Sequence, residues 1–120
     1  MVSRAEFEIY CLEKSGVTKE YPFDAVTAVF KVKDKMFALT NDKWETFQVN
    51  LKCDPEWSMI LRGHYEEVEP GYHMNKKHWN TVNFEGTIPD DELLEMIDHS
   101  YRLVVSKLPK KVQEQLRFKH

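Results

Sequence analysis

Thr27-Ala28-Val29-Phe30-Lys31-Val32-Lys33-Asp34-Lys35-Met36-Phe37-Ala38-Leu39-Thr40 is the stretch on which the fold turns. Two runs rich in β-branched and aromatic side chains, 27–32 and 35–40, are separated only by Lys33-Asp34, the spacing of a tight hairpin. A third run, Thr46 to Cys53, alternates Phe47, Val49, Leu51 and Cys53 with Gln48, Asn50 and Lys52. That period of two predicts a strand with one face in the core and one in water.

Toward the N-terminus, Ser3 followed by Glu6 is a capping-box pattern, and Phe7, Tyr10 and Cys11 recur at helical spacing until Ser15-Gly16. These predict a helix over about residues 3–15, followed by a turn-like connector at Glu20-Tyr21-Pro22-Phe23. Toward the C-terminus, Asp54-Pro55-Glu56 opens a second helix, because Asp accepts orphan N–H groups and Pro fits the first helical position. It is expected to carry Trp57, Ile60 and Leu61 inward and to end near Gly63. Glu69-Pro70-Gly71-Tyr72 then reads as a turn between a short extended piece at Val68 and a strand from Trp79 to Phe84.

Pro89 with Asp90, Asp91 and Glu92 starts a helix about five turns long. Leu93, Leu94, Ile97, Tyr101, Val104, Val105 and Leu108 form its apolar stripe, Pro109 ends or kinks it, and Lys110 to Phe118 reads as a short basic terminal helix. The order is α-β(3)-α-β(2)-α. It predicts an α+β two-layer sandwich, an antiparallel sheet with helices on one face, forming a single domain over residues 1–120.

Composition sets the class. At 120 residues, 42% hydrophobic and 31% charged, the chain has the makings of a real core and lies far from the mixtures that stay unfolded. No apolar run approaches the roughly 20 residues that cross a bilayer, and Met1 to Glu8 carry charges of both signs, so a cytoplasmic location without membrane association is expected. Cys11 and Cys53 then read as reduced thiols. Net charge is −3, yet the stretch from Arg102 to His120 holds six bases against one acid, +5, which leaves −8 for the rest.

One segment is chemically unusual. Gly71-Tyr72-His73-Met74-Asn75-Lys76-Lys77-His78-Trp79-Asn80 places two histidines, two lysines, two asparagines and two large aromatics in ten residues between a turn and a strand. Tyr72 to Val82 resembles the signature of the MmcQ/YjbR-like family of small bacterial proteins. Tyr21-Pro22-Phe23, Lys35-Met36-Phe37-Ala38-Leu39, Val49 to Pro55, Asp98-His99-Ser100-Tyr101 and Lys107-Leu108-Pro109 are similar to the same family. The resemblance covers nearly the whole chain and departs from the family around Asn41 to Thr46. It implies an α-β(3)-α-β(2)-α sandwich and a frequent description as DNA-binding, which rests on fold similarity to wing-type DNA binders.

On chemistry alone, Lys76 and Lys77 can meet phosphates while Trp79 or Tyr72 offers a stacking face, with Lys52, Lys107, Lys110 and Lys111 extending the positive surface. The sequence pI near 5.9 and the lack of a helix-turn-helix or zinc-finger pattern weigh against it. His73 and His78 are five apart with no cysteine pair or nearby carboxylate to complete a ligand set, so no metal is expected. The two histidines and Asn75 then serve to bond the loop backbone.

Cys53 lies just before a helix N-terminus, where a thiol can be activated, but it continues the apolar alternation of its strand. Asp98-His99-Ser100 cannot be a triad, because consecutive helical residues point about 100° apart. The reading is a non-enzymatic binding module without cofactor. Its candidate nucleic-acid or anion-binding residues are His73, Asn75, Lys76, Lys77, His78, Trp79 and Asn80, with Lys107, Lys110 and Lys111. The alternative is a protein-interaction or secretion-chaperone-like adaptor; a third, small-molecule or enzymatic role predicts a closed pocket at Tyr72 to Trp79, and the sequence leaves the oligomeric state open.

Overall fold

The computed structural model describes residues 1–117; Phe118, Lys119 and His120, the end of the expected terminal helix and basic tail, lie outside the described residues. The chain runs α1 (Arg4–Leu12), β1 (Val17–Glu20), β2 (Thr27–Val32), β3 (Lys35–Asn41), β4 (Gln48–Lys52), α2 (Pro55–His64), β5 (Val68–Pro70), β6 (Trp79–Asn83), α3 (Asp90–Ser106) and α4 (Lys110–Arg117). The strands form one antiparallel sheet in the order β1-β2-β3-β4-β6-β5. The α+β class, the antiparallel sheet and the helical layer are as the sequence predicts.

The β2–β3 hairpin turns on Lys33 and Asp34 with φ of 50° and 65°. Two positive φ values are what a two-residue turn needs to match the twist of its strands. The ladder slips between Phe30 and Lys31: Phe30 faces Ala38, but Lys31 faces Met36. Phe37 is therefore an extra residue, and the bulge lets Phe37 and Ala38 both enter the core under the helices. Phe7 of α1 sits at the centre of that core, edge-on to Phe30, Phe47 and Phe84 at ring separations of 5.3, 5.5 and 5.8 Å.

α3 lies across β2, β3 and β4 and joins the sheet by hydrogen bonds as well as by packing. Ala38 pairs with Leu51, so Phe37 and Lys52 would pair next. Instead the Ser100 hydroxyl stands between them, donating to Phe37 O at 2.5 Å and accepting from Lys52 N at 2.9 Å. Its neighbours hold other elements. Asp98 accepts from Tyr10 and pairs with Lys14 of the α1 end, His99 Nε2 accepts from Asp54 N at 3.0 Å, and Tyr101 donates to Ser15 O at 2.6 Å.

Three details differ from the sequence reading. β1 is a strand that the sequence does not announce, since Val-Thr-Lys-Glu has little apolar alternation; its backbone pairs with β2 from Val17↔Val32 to Glu20↔Val29, and its flanks are charged, with Lys19 on Glu8 and Lys31 on Glu20. Ile60 is 65% exposed, and the small Ser58 takes the inward place beside Leu61. Trp57 is half-buried, edge-on to the His99 ring at 4.5 Å. Finally, the helix-free face of the sheet is not all in water: Val29, Leu39 and Trp79 form a second small core there, with Met36 and Met74 against it.

Replacing Ser100 by alanine leaves Lys52 N–H and Phe37 C=O apart with no bridge. Urea unfolding should show a loss of about 1–3 kcal/mol, the cost of unsatisfied buried polar groups; unchanged stability would mean that the two strands close up directly.

Candidate functional site

The segment from Gly71 to His78 leaves the sheet after β5 and folds over its helix-free face. Gly71 makes this possible: its N–H donates to Trp79 O at 2.9 Å, and a Cβ there would stand 2.8 Å from Trp79 Cβ and 2.9 Å from Met74 Cβ. The Gly71 carbonyl accepts from Met74 N and from the Lys76 ammonium at 2.9 Å. Asn75 organises the second half. Its carbonyl accepts from His78 N and Trp79 N, and its side-chain oxygen accepts from Lys77 N at 3.0 Å.

Two anchors tie this loop to the fold. From α2, the Arg62 guanidinium donates to Asn80 Oδ1 at 2.8 Å, Lys76 O at 2.5 Å and Trp79 O at 3.2 Å. From the sheet, Tyr72 N donates to Thr81 Oγ1 at 2.9 Å, and Thr81 donates to Asn50 Oδ1. His73 follows with φ of 58°, a left-handed conformation uncommon for a side-chain-bearing residue.

The ten candidate residues divide into three groups. His73, Asn75, Lys76, Lys77 and His78 are exposed together on the loop. No ion pair involves Lys76 or Lys77 among the described residues. Trp79 and Asn80 are inside, at 7% and 2% exposure: pairing of Lys52 with Trp79 turns the indole onto the second core, and Asn80 points to the helical side beneath Arg62. The stacking face expected of Trp79 is therefore covered, and Tyr72 carries the exposed ring of the segment.

Lys107, Lys110 and Lys111 are exposed, but they follow α3, and α4 is held near β1, where Ser15 donates to Leu116 O at 2.6 Å. β1 and β6 are four strand spacings apart in the sheet, about 19 Å at the usual 4.8 Å step. Lys52, also named from sequence, is half-buried at the start of β6's ladder.

The nucleophile and base positions are occupied structurally. Cys53 and Cys11 are buried free thiols, and burial pushes the Cys53 pKa up, away from the thiolate. Burial, with the Arg102 charge adding to it, holds His99 below the ordinary histidine pKa, which suits a ring nitrogen that accepts from Asp54 N–H.

Beside the loop lies a groove of about 420 Å³, which shares Tyr72, His73 and Met74 with the pocket that a small-molecule role predicts. Leu39, Thr40 and Asn50 of the sheet line it, with Phe23, Asp24 and Thr27 on one side, Asn41 and Trp44 at the hairpin end, and Tyr72, His73 and Met74 of the loop. Asp24 is locked in place by accepting from Val26 N, Thr27 N and Thr27 Oγ1, and those backbone bonds hold its carboxyl below the usual range. These residues come from separate stretches. Tyr21-Pro22-Phe23 and the Trp44 hairpin tip were the signals in sequence, one as a motif and one as a departure from it.

The YjbR family model matches residues 12–103. The chain belongs to the YjbR family. It is 34% identical over 107 residues to protein YjbR of Escherichia coli (strain K12), covering 89% of this chain and 91% of that one. It is 38% identical over 106 residues to protein YbdF of Escherichia coli O157:H7, covering 88% and 87%. Among solved structures, Deinococcus radiodurans protein DR2400, with its DUF419 domain, superposes with a TM-score of 0.89 at 37% identity, over 97% of this chain and 88% of that one. The YjbR match contains the motif loop and all the groove residues and ends before Lys107.

In the Arg62→Met variant, Asn80 Oδ1 and Lys76 O lose their donor, while Trp79 O keeps only the Gly71 N–H. Thermal and urea unfolding should register about 2 kcal/mol of destabilisation, with faster proteolysis at Lys76 or Lys77; wild-type stability and cleavage would show that the loop holds without the clamp.

Proposed function

We propose that this YjbR-family chain is a non-enzymatic binding module whose loop from His73 to Asn80 receives an anionic partner, nucleic acid being the class its chemistry suits. The observation that carries this reading is the exposure of Lys76 and Lys77 on a loop braced by Asn75 and Arg62, the Lys76 ammonium donating to Gly71 O and neither ammonium in an ion pair with a carboxylate among the described residues. Cations held this way displace counterions from phosphates without first giving up an internal salt bridge. His73 and His78 add donors at the same surface, and the buried Cys53 thiol and engaged His99 support binding over catalysis. Lys107, Lys110 and Lys111 serve as a separate basic end that adds to long-range attraction.

A second reading, a protein-interaction or secretion-chaperone-like adaptor, is favoured by α2. Met59 and Ile60 are adjacent there, 74% and 65% exposed, and Gly63 has open space in front of it. Large apolar side chains side by side in water are a feature of surfaces that meet other proteins.

One set of titrations separates the two. Labelled single strands and duplexes at about 50 and about 200 mM salt should bind the wild type with affinity that falls steeply with salt. The Lys76→Ala, Lys77→Ala double variant should bind weaker, its log–log salt slope shallower by about 0.7 per lost single-strand contact. Unaltered affinity, or no binding at low salt, would overturn the nucleic-acid reading; a salt-insensitive homodimer that Ile60→Glu dissolves would establish the second.

A further inference from the structure

The groove beside the loop has a chemistry of its own. Asn50 stands on the helix-free face of β4 at its floor, 6% exposed. Thr81 Oγ1 accepts the Tyr72 N–H and has one proton to give, which goes to Asn50 Oδ1. The relay therefore fixes which end of the amide is used. Asn50 Nδ2, with two N–H donors, has no hydrogen-bond partner among the described residues, and the residue lines the groove.

The rim supplies the complementary group. Asp24 accepts three hydrogen bonds, and a carboxylate offers about four lone-pair sites, so an acceptor position remains. Around these polar groups stand rings: Phe23 and Tyr72 are mostly exposed, Trp44 is half-buried, and His73 lies with its ring centre 4.0 Å from that of Tyr72. The lining contains one carboxylate and neither lysine nor arginine, which disfavours a phosphate inside the groove and favours a neutral body. A volume of about 420 Å³ lies within the roughly 300–1,000 Å³ of small-ligand sites and exceeds what an ion needs.

A flat, neutral ring with an acceptor on one edge and an N–H on another satisfies all of these at once. We propose that the groove is a nucleobase pocket, in which the base lies against the rings of Phe23, Trp44 and Tyr72, accepts from Asn50 Nδ2 and donates to Asp24. The base comes either from a free nucleoside or from an unpaired position in a strand. For the strand the proposal rests on the loop-cation reading above, because Lys76 and Lys77 follow the groove wall on the same loop and meet the phosphates that the groove turns away. Duplex DNA presents no free base face, so a strand bound here is single.

The test uses the ¹⁵N-labelled full chain titrated with adenosine, guanosine, cytidine and thymidine, then with short single strands. At least one nucleoside should shift the Asn50 side-chain NH₂ and the Tyr72 and His73 amides saturably. Tyr72→Ala, at an exposed position, should weaken that binding about tenfold or more, and Asn50→Asp, which keeps an oxygen for Thr81 and removes both donors, should abolish it. Tyr72→Ala keeps the proposal testable if the Asn50 variant fails to fold. Strand binding with no groove response to any nucleoside overturns the pocket and leaves the loop-cation reading standing. Groove binding of nucleosides with no strand binding supports the pocket with the free nucleoside as its ligand and overturns the loop reading. No binding of either kind overturns both.

Discussion

The Thr81 hydroxyl sits at the junction on which the helix-free face of this protein depends. It receives Tyr72 N–H from the loop and gives its proton to Asn50 on the neighbouring strand. With those two bonds the loop is laid onto the sheet, Met74 is brought to Val29, Leu39 and Trp79, and one wall of the groove is set. A sheet covered by helices on one side ordinarily leaves polar residues in water on the other. Here Asn50 and Thr81 are buried on that face, and buried polar groups have to be paired. The relay satisfies three of them and leaves the Asn50 amide nitrogen facing the groove.

The other face is secured differently. Asp98-His99-Ser100-Tyr101 has the look of reactive chemistry, yet each side chain reaches a different element: α1, the entry to α2, the β3–β4 ladder and the turn at Ser15 between α1 and β1. The 100° step between helical neighbours that rules out convergence also lets one turn of α3 hold four partners. The chemically conspicuous residues of the chain thus serve architecture, and the exposed donors and rings lie across the sheet from them.

Much of the fold was legible because packing imposes periodicity. Phe47, Val49, Leu51 and Cys53 announce their strand, and Lys33-Asp34 its turn. β1 escaped because an edge strand held by its backbone ladder needs no apolar alternation. Ile60 was misplaced for a related reason: an apolar residue in a helix does not declare its face when the small Ser58 can take the inward position. In the motif loop the sequence did not sort exposed from buried residues, since Trp79 and Asn80 change sides according to strand register, which composition does not encode. The groove was legible only in fragments, at Phe23, Trp44 and Tyr72, because it is assembled from separate stretches, residues 23–27, 39–44, 50 and 72–74.

The central claim is that the motif loop is pinned to the sheet through the Thr81 relay. Amide hydrogen exchange tests it most directly, with an internal comparison between neighbours: Tyr72 N–H is bonded to Thr81, whereas His73 N–H has no acceptor among the described residues. The account predicts that Tyr72 exchanges about a hundredfold or more slowly than His73. Equal, fast exchange at both positions would contradict it, and the groove wall with it.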